Sequence, residues 1–447
     1  MPTKPIDDPP APAAATSSPS LDTILSSASE QTRETVRVLG EILGKEPLAT
    51  LPPTQFAIRH LGIDSLDIAS TKSTGPTTSL TLLGNLLRVE MERHAGHVVV
   101  GSPGDGLPPT WTQLGIGPDE KITVPGRLVV FFPRGTLAAE PLCVAIDDRH
   151  WHREFSILSA FAHKPAAERV LRDLEQRLKS DENPLRGRVL EARVDDNCVR
   201  LAATRALASS REDLVLPPEI WREIDVFLAS ATERRELLRS LGLGTNRGLL
   251  VAGPPGVGKT HLVRVIAATL AGPYTTILAD AHAMRHTLAD LYAESDTFGP
   301  TLVVLDDIDL VLGHRDGGAN DGPLADFLAA LDGVRQRDDI LTIATTNDPQ
   351  SLDPAAQRTN RFDTVLALPL PDAASRTRML QRHLAPLGVP LDCAAAAAVL
   401  DGATGADVRE VVRRAVLEHG ESFTQEQLVA VAESGRWKTN ANRRRYL

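Results

Sequence analysis

The stretch Gly253-Pro254-Pro255-Gly256-Val257-Gly258-Lys259-Thr260 limits what this chain can fold into more than any other. It follows an apolar run at 249–252 and precedes an apolar segment of helical period at 262–270. Strand, glycine-rich turn and helix in that order, with the spacing G-x-x-x-x-G-K-[ST], define a phosphate-binding loop. Such a loop needs positive backbone φ and close approach of the main chain to its ligand, which Gly256 and Gly258 permit because they lack Cβ. Its N–H groups then face anionic oxygens, and the dipole of the following helix adds to them. Lys259 contributes a point charge for the β- and γ-phosphates, and Thr260 a hydroxyl for Mg²⁺.

A chain of 447 residues is too long for one ordinary core, so two or three domains are expected. The 48 basic and 58 acidic residues leave a net charge of −10, which argues against a general nucleic-acid-binding surface. Cys143, Cys198 and Cys393 are the only cysteines and lie far apart, suggesting neither a zinc site nor a disulfide framework and fitting a reducing, cytoplasmic setting. No apolar run reaches the roughly 18–20 residues that span a bilayer, and no signal peptide opens the chain, so no membrane association is expected.

Residues 1–20 are rich in Pro, Ala and Ser and read as a disordered tail. An N-terminal α/β module, a candidate for partner recognition, is expected over 21–210. Helices are predicted at 21–44, 80–94 and 166–178, and strands at 97–100, 121–124, 127–132 and 142–146. Residues 188–194 and 198–202 read as a β pair closing the region. Asp147, Asp148, His150 and His152 cluster around Trp151, where a solvated loop is favoured over a metal site. Leu61-Gly62-Ile63-Asp64-Ser65-Leu66-Asp67 resembles the motif of acyl and peptidyl carrier domains, in which a serine opening a helix receives a phosphopantetheine arm. Gly75-Pro76 interrupts the helix that should follow. The other reading is that Asp64 or Ser65 caps a short helix.

From residue 211 a new unit begins with Glu212-Asp213-Leu214-Val215-Leu216-Pro217-Pro218 and an amphipathic helix over 219–228. Short apolar or β-branched runs at 274–278, 302–305 and 340–344 alternate with helical segments, the signature of a parallel sheet covered by helices. The fold class is therefore α/β, a P-loop NTPase core at 211–370. Helices expected at 376–385, 393–400, 406–419 and 425–433 form a C-terminal lid at 371–436. Residues 437–447 form a basic tail.

Residues 302–305 run into Asp306 and Asp307, placing two carboxylates at the C-terminal edge of the sheet, where ligands bind in open α/β folds. Asp306 is expected to hold Mg²⁺ and Asp307 to polarise the attacking water. Asn347 ends the next strand with an amide able to orient that water. Arg358 and Arg361, three apart, read by themselves as a solvated helical face.

Taken together, residues of about 213–433, close to half the chain, resemble the AAA ATPase family. The matches are Arg247-Gly248 before the loop, Asp306-Asp307-Ile308-Asp309, Leu331-Asp332-Gly333-Val334, Asn347 at sensor 1, Arg358 and Arg361 in R-x-x-R-F-D, and Thr404-Gly405-Ala406-Asp407 in the lid. The resemblance implies that ATP and Mg²⁺ are bound. The nucleotide-binding residues are then Gly253, Pro254, Pro255, Gly256, Val257, Gly258, Lys259, Thr260, His261, Asp306, Gly405 and Ala406, with Thr260 and Asp306 on the metal. Asp307, Asn347, Arg358 and Arg361 are then catalytic, the arginines acting in a neighbouring subunit of a homo-oligomer, expected to be a hexameric ring.

Three features qualify these expectations. Asp307 stands where the family usually carries Glu, and Ala406 where more distant relatives carry an arginine. Around Met284-Arg285-His286 no aromatic-Gly pore element is found, so threading through a pore is not expected. Remodelling or assembly of a protein partner is the leading reading. A weakly hydrolysing, nucleotide-gated scaffold and an ATPase fused to a carrier-like domain modified at Ser65 are the alternatives.

Overall fold

The computed structural model describes residues 51–438, apart from 105–106, 150–151, 196–197, 206, 313–338, 348–361 and 389–390. The tail at 1–20, the helix predicted at 21–44, Leu331-Asp332-Gly333-Val334, Arg358, Arg361 and nearly all of the basic tail therefore lie outside the described residues.

The N-terminal part is built on an antiparallel sheet of β1 (Ile68–Lys72), β2 (Val99–Gly101), β3 (Thr110–Gly115), β4 (Lys121–Phe132), β5 (Leu142–Arg149) and β6 (His152–Ala160), in the order β1-β6-β5-β4-β2, with β3 also on β4. Alternation decides its faces. Leu128, Val130, Phe132, Val144, Ile146 and Ile157 point into the main core, on the side of α2 (Thr77–Arg93). Val129, Cys143, Ala145 and Leu158 point the other way and meet Phe56 and Ala57 of α1 (Pro53–Leu61). Helix α3 (Lys164–Arg177) follows β6.

Two predicted strands at 121–124 and 127–132 are one strand, β4. Its Pro125-Gly126 lies at a register shift opposite Thr110 and Trp111, and an irregularity of this kind tolerates a residue without an N–H. Asp147 and Asp148 lie on β5 rather than in a loop, and both are consumed by ion pairs: Asp147 with Arg127 and Arg149, Asp148 with Arg153. The carrier-like stretch also differs from its motif. Residues 64–67 form an exposed turn, closed by Asp67 N donating to Asp64 O at 3.0 Å, and lead into strand β1, paired along its length with β6. Ser65 opens no helix, and neither it nor Asp64 caps one, because pairing with β6 claims the residues that follow.

The second sheet has seven strands in the order β13-β9-β12-β11-β10-β7-β8. β9 (Arg247–Ala252), β10 (Thr275–Ala279), β11 (Thr301–Leu305), β12 (Ile340–Thr346) and β13 (Thr364–Ala367) are mutually parallel. The hairpin β7 (Val189–Asp195) and β8 (Cys198–Ala203) corrects the reading of these residues as a β pair of the N-terminal region. It does not close the N-terminal region but extends this sheet, β7 running parallel to β10 with Leu190 beside Ile277.

Helices α4 (Pro218–Ala231) and α5 (Arg235–Ser240) precede β9; α6 (Lys259–Leu270), α7 (Ala281–Ser295) and α8 (Asp309–Leu312) follow β9, β10 and β11. Between β10 and α7 stands Asp280 alone, whose side chain caps the helix by accepting from Ala283 N at 2.9 Å. The lid consists of α9 (Ala373–Leu384), α10 (Cys393–Val399), α11 (Gly405–His419) and α12 (Gln425–Glu433), closed on a core that includes Leu380, Leu400, Val411, Leu428 and Trp437.

The N-terminal sheet and the parallel sheet share one apolar core, in which Leu86, Phe132, Leu190, Leu201, Ile277, Leu291 and Phe298 are all buried. Polar contacts cross the same junction. Thr78 N donates to Glu294 at 2.9 Å, and the hydroxyls of Ser79 and Thr297 meet at 2.5 Å. Among the described residues, no helix is long and apolar enough to cross a membrane.

Candidate active site

Parallel strands that leave the sheet at one edge bring their loops together. Here β9 opens into the glycine-rich loop, β11 into Asp306 and Asp307, and β12 into Asn347. In the loop, Gly256 and Gly258 have φ of 84° and 104°. A Cβ on Gly256 would stand 2.8 Å from Thr404 Oγ1 and 3.0 Å from the Ala406 Cβ, so the loop and the lid motif meet where only glycine fits. Ala406 N also donates to Gly256 O at 3.1 Å. Thr404 caps α11 in a reciprocal box with Asp407, which fixes the lid turn beside the loop.

Lys259 is only 6% exposed. Its ammonium donates to Gly253 O at 2.8 Å, Pro254 O at 3.1 Å and Asn347 Oδ1 at 2.7 Å. Burial lowers its pKa, against the opposing pull of Asp307, Asp309 and Asp306. Thr260 Oγ1 lies 3.3–3.4 Å from the carboxylate of Asp306, which also accepts from Thr345 Oγ1 at 2.5 Å. A hydroxyl and a carboxylate so close are hard oxygen donors that fit Mg²⁺ completed by water and phosphate. The glycine-rich loop at the start of α6, with its buried ammonium, fits a polyphosphate.

Asp307 has a φ of 53°, in the left-handed region that non-glycine residues seldom occupy. The turn is held there by β12: Asp307 N donates to Thr345 Oγ1 at 2.8 Å and Ile308 N to Thr345 O at 2.9 Å. Its carboxylate accepts from Asn347 Nδ2 at 3.2 Å. Burial raises the Asp307 pKa, with Asp306 and Asp309 adding to it and the Asn347 bond and Lys259 opposing.

Lys259, Thr260, Asp306, Asp307 and Asn347 thus form one network, and Gly405 and Ala406 lie on the loop beside it. His261 is half-buried at the start of α6; burial lowers its pKa, and Asp213, Arg264 and Arg382 surround it. Three residues of the site received no role from the sequence. Thr345 orders the Asp306 turn and carries a usable signal, since it stands on β12 two positions before Asn347. Leu214 packs against Gly258, within 3.0 Å of where a Cβ would sit. Asp309 binds Asn347 twice.

Residues 249–370 match the family model described as ATPase family associated with various cellular activities (AAA), so this part of the chain is an AAA domain. Among curated proteins, an ATP-dependent zinc metalloprotease FtsH 1 from Conexibacter woesei is 33% identical over 213 residues, 44% of this chain and 32% of its own length. The FtsH 3 protein of Sphaerobacter thermophilus is 34% identical over 232 residues, 48% of this chain and 46% of its own. A cell division cycle protein 48 homolog from Archaeoglobus fulgidus is 29% identical over 193 residues, 41% and 26% respectively. The chain thus spans less than half the length of each of these relatives.

Proposed function

We propose that this protein is an Mg·ATP-dependent ATPase that works as a homo-oligomer, with a hexameric ring as the expected form, to remodel or assemble a protein partner. The observation that carries this reading is the hydrogen-bonded convergence of Lys259, Thr260, Asp306, Asp307 and Asn347 at one edge of the parallel sheet. In this reading the loop amides and Lys259 bind the triphosphate. Thr260 and Asp306 hold Mg²⁺, which when bound neutralises phosphate charge. Asp307 accepts the proton of the attacking water, a role that its raised pKa favours. Asn347 orients Asp307, and Arg358 and Arg361 are assigned to a neighbouring subunit's site.

Asp307→Asn is expected to retain ATP binding while phosphate release falls by about 10²–10⁴-fold, the usual range for losing a general base. Unchanged phosphate release in that variant overturns the assignment. Partner capture by the same variant with ATP present would identify the client. A weakly hydrolysing scaffold is the second reading, favoured by the φ of Asp307 and by its bond to Asn347. Robust multiple turnover by the purified protein excludes it.

A further inference from the structure

Asn347 connects the phosphate-binding lysine to the water-polarising carboxylate, and the way it is held points to Asp309. The χ2 torsion of an asparagine is soft and nearly two-fold, so its neighbours decide which way the amide faces. Asp309 takes two of its donors. Asn347 N donates to Asp309 Oδ1 at 3.1 Å and Asn347 Nδ2 to Asp309 Oδ2 at 3.4 Å. With Nδ2 also facing Asp307 at 3.2 Å, Oδ1 is left facing the Lys259 ammonium at 2.7 Å. The opposite orientation would set the amide oxygen against two carboxylates and the NH₂ against the ammonium. Electrostatics therefore permits one orientation. Asp309 is itself held in place, because it opens α8 immediately after the turn that Thr345 ties to β12.

We infer that Asp309 is a positioning residue that sets the amide orientation of Asn347 and, through it, aligns Lys259 with Asp307 for hydrolysis. The inference rests on the ATPase reading of the same site. Without Asp309, the backbone N–H of Asn347 loses its acceptor and the amide keeps a single carboxylate partner. The loss should therefore fall on turnover rather than on nucleotide affinity.

The test compares kcat, KM and ATP dissociation constants for the full chain and for Asp309→Ala, Asp309→Asn, Asn347→Ala and the double variant Asp309→Ala/Asn347→Ala. Asp309→Ala is expected to lower kcat about tenfold, the scale of one hydrogen bond to a charged group, and to leave KM and the dissociation constant within about threefold. Asp309→Asn conserves shape and fold but presents an NH₂ to the Asn347 NH₂, so it should lose turnover like the alanine variant. The double variant should be no slower than Asn347→Ala, because Asp309 acts only through that residue. A double variant slowed by the product of the two single losses overturns the inference. Wild-type turnover in Asp309→Asn, or a loss of ATP affinity as large as the loss of kcat, does the same. No turnover in the unmodified protein overturns the ATPase reading as well, which separates the two failures.

Discussion

Among the described residues the protein has two sheets of similar size, and the contacts of Asn347 with Lys259 and Asp307 form at the edge of one of them. In the antiparallel sheet, successive strands leave from opposite ends, and carboxylates pair with nearby cations, as Asp147 does with Arg127 and Arg149 and Glu154 with Lys72. In the parallel sheet, β9, β11 and β12 all leave from the same edge, so Lys259 and Asn347, 88 positions apart, meet at 2.7 Å. Strand direction, more than composition, decides where a site can form. The hairpin β7–β8 joins the two regions, because it comes from the N-terminal half yet completes the parallel sheet.

Cutting the chain between the two regions should have the largest effect. A fragment beginning at residue 211 keeps every predicted nucleotide-binding residue but loses the hairpin, exposing the edge of β10 and the core around Ile277. It is expected to aggregate and to show no cooperative thermal transition. A cooperative melt with ATP binding intact would instead show that the two regions are separable.

A milder probe is Glu294, 1% exposed at the junction, whose carboxyl accepts from Thr78 N. Burial pushes its pKa up to about 7, only partly opposed by that bond. The folded state thus holds this proton more tightly than the unfolded chain does. Stability is greatest while both states are protonated, falls as pH rises from about 4.5 to about 7, and levels off above. The swing is roughly 3 kcal/mol at about 1.4 kcal/mol per pH unit. Glu294→Gln stays neutral throughout, so its melting temperature relative to wild type should climb between about pH 5 and pH 8. Parallel pH profiles of the two proteins would show that the junction carries no such charge. The smallest effect is expected from Arg382→Ala, which removes the ion pair between lid helix α9 and Asp213. Both partners are more than a third exposed, so a slight drop in melting temperature that vanishes near 1 M salt is expected. A drop that survives such salt would mean that the lid depends on this pair by packing rather than charge.

The glycine-rich loop, Asp306, Asp307 and Asn347 were legible because each sits at the end of a short apolar run, and the rule placing ligands at the carboxyl ends of parallel strands needs no further information. Asp309 stands in a legible motif, yet its role is not legible there, since nothing local says which donors an aspartate will find 38 positions away. The carrier-like motif shows the converse failure. Asp64-Ser65-Leu66 has the local pattern of a helix start, and pairing of β1 with β6 overrides it.

By itself, then, the sequence determined a P-loop core with its glycine-rich loop and a helical lid, all of them features set by near neighbours in the chain: backbone φ, strand-to-helix order and capping. The tertiary structure decided what those features are attached to. The hairpin pairs with β10 and not with the N-terminal sheet, Thr78 finds Glu294 216 positions away, and the Asn347 N–H finds Asp309 38 positions away. Each is a choice between partners of similar local propensity, settled by burial and hydrogen-bond complementarity that exist only once the chain is packed.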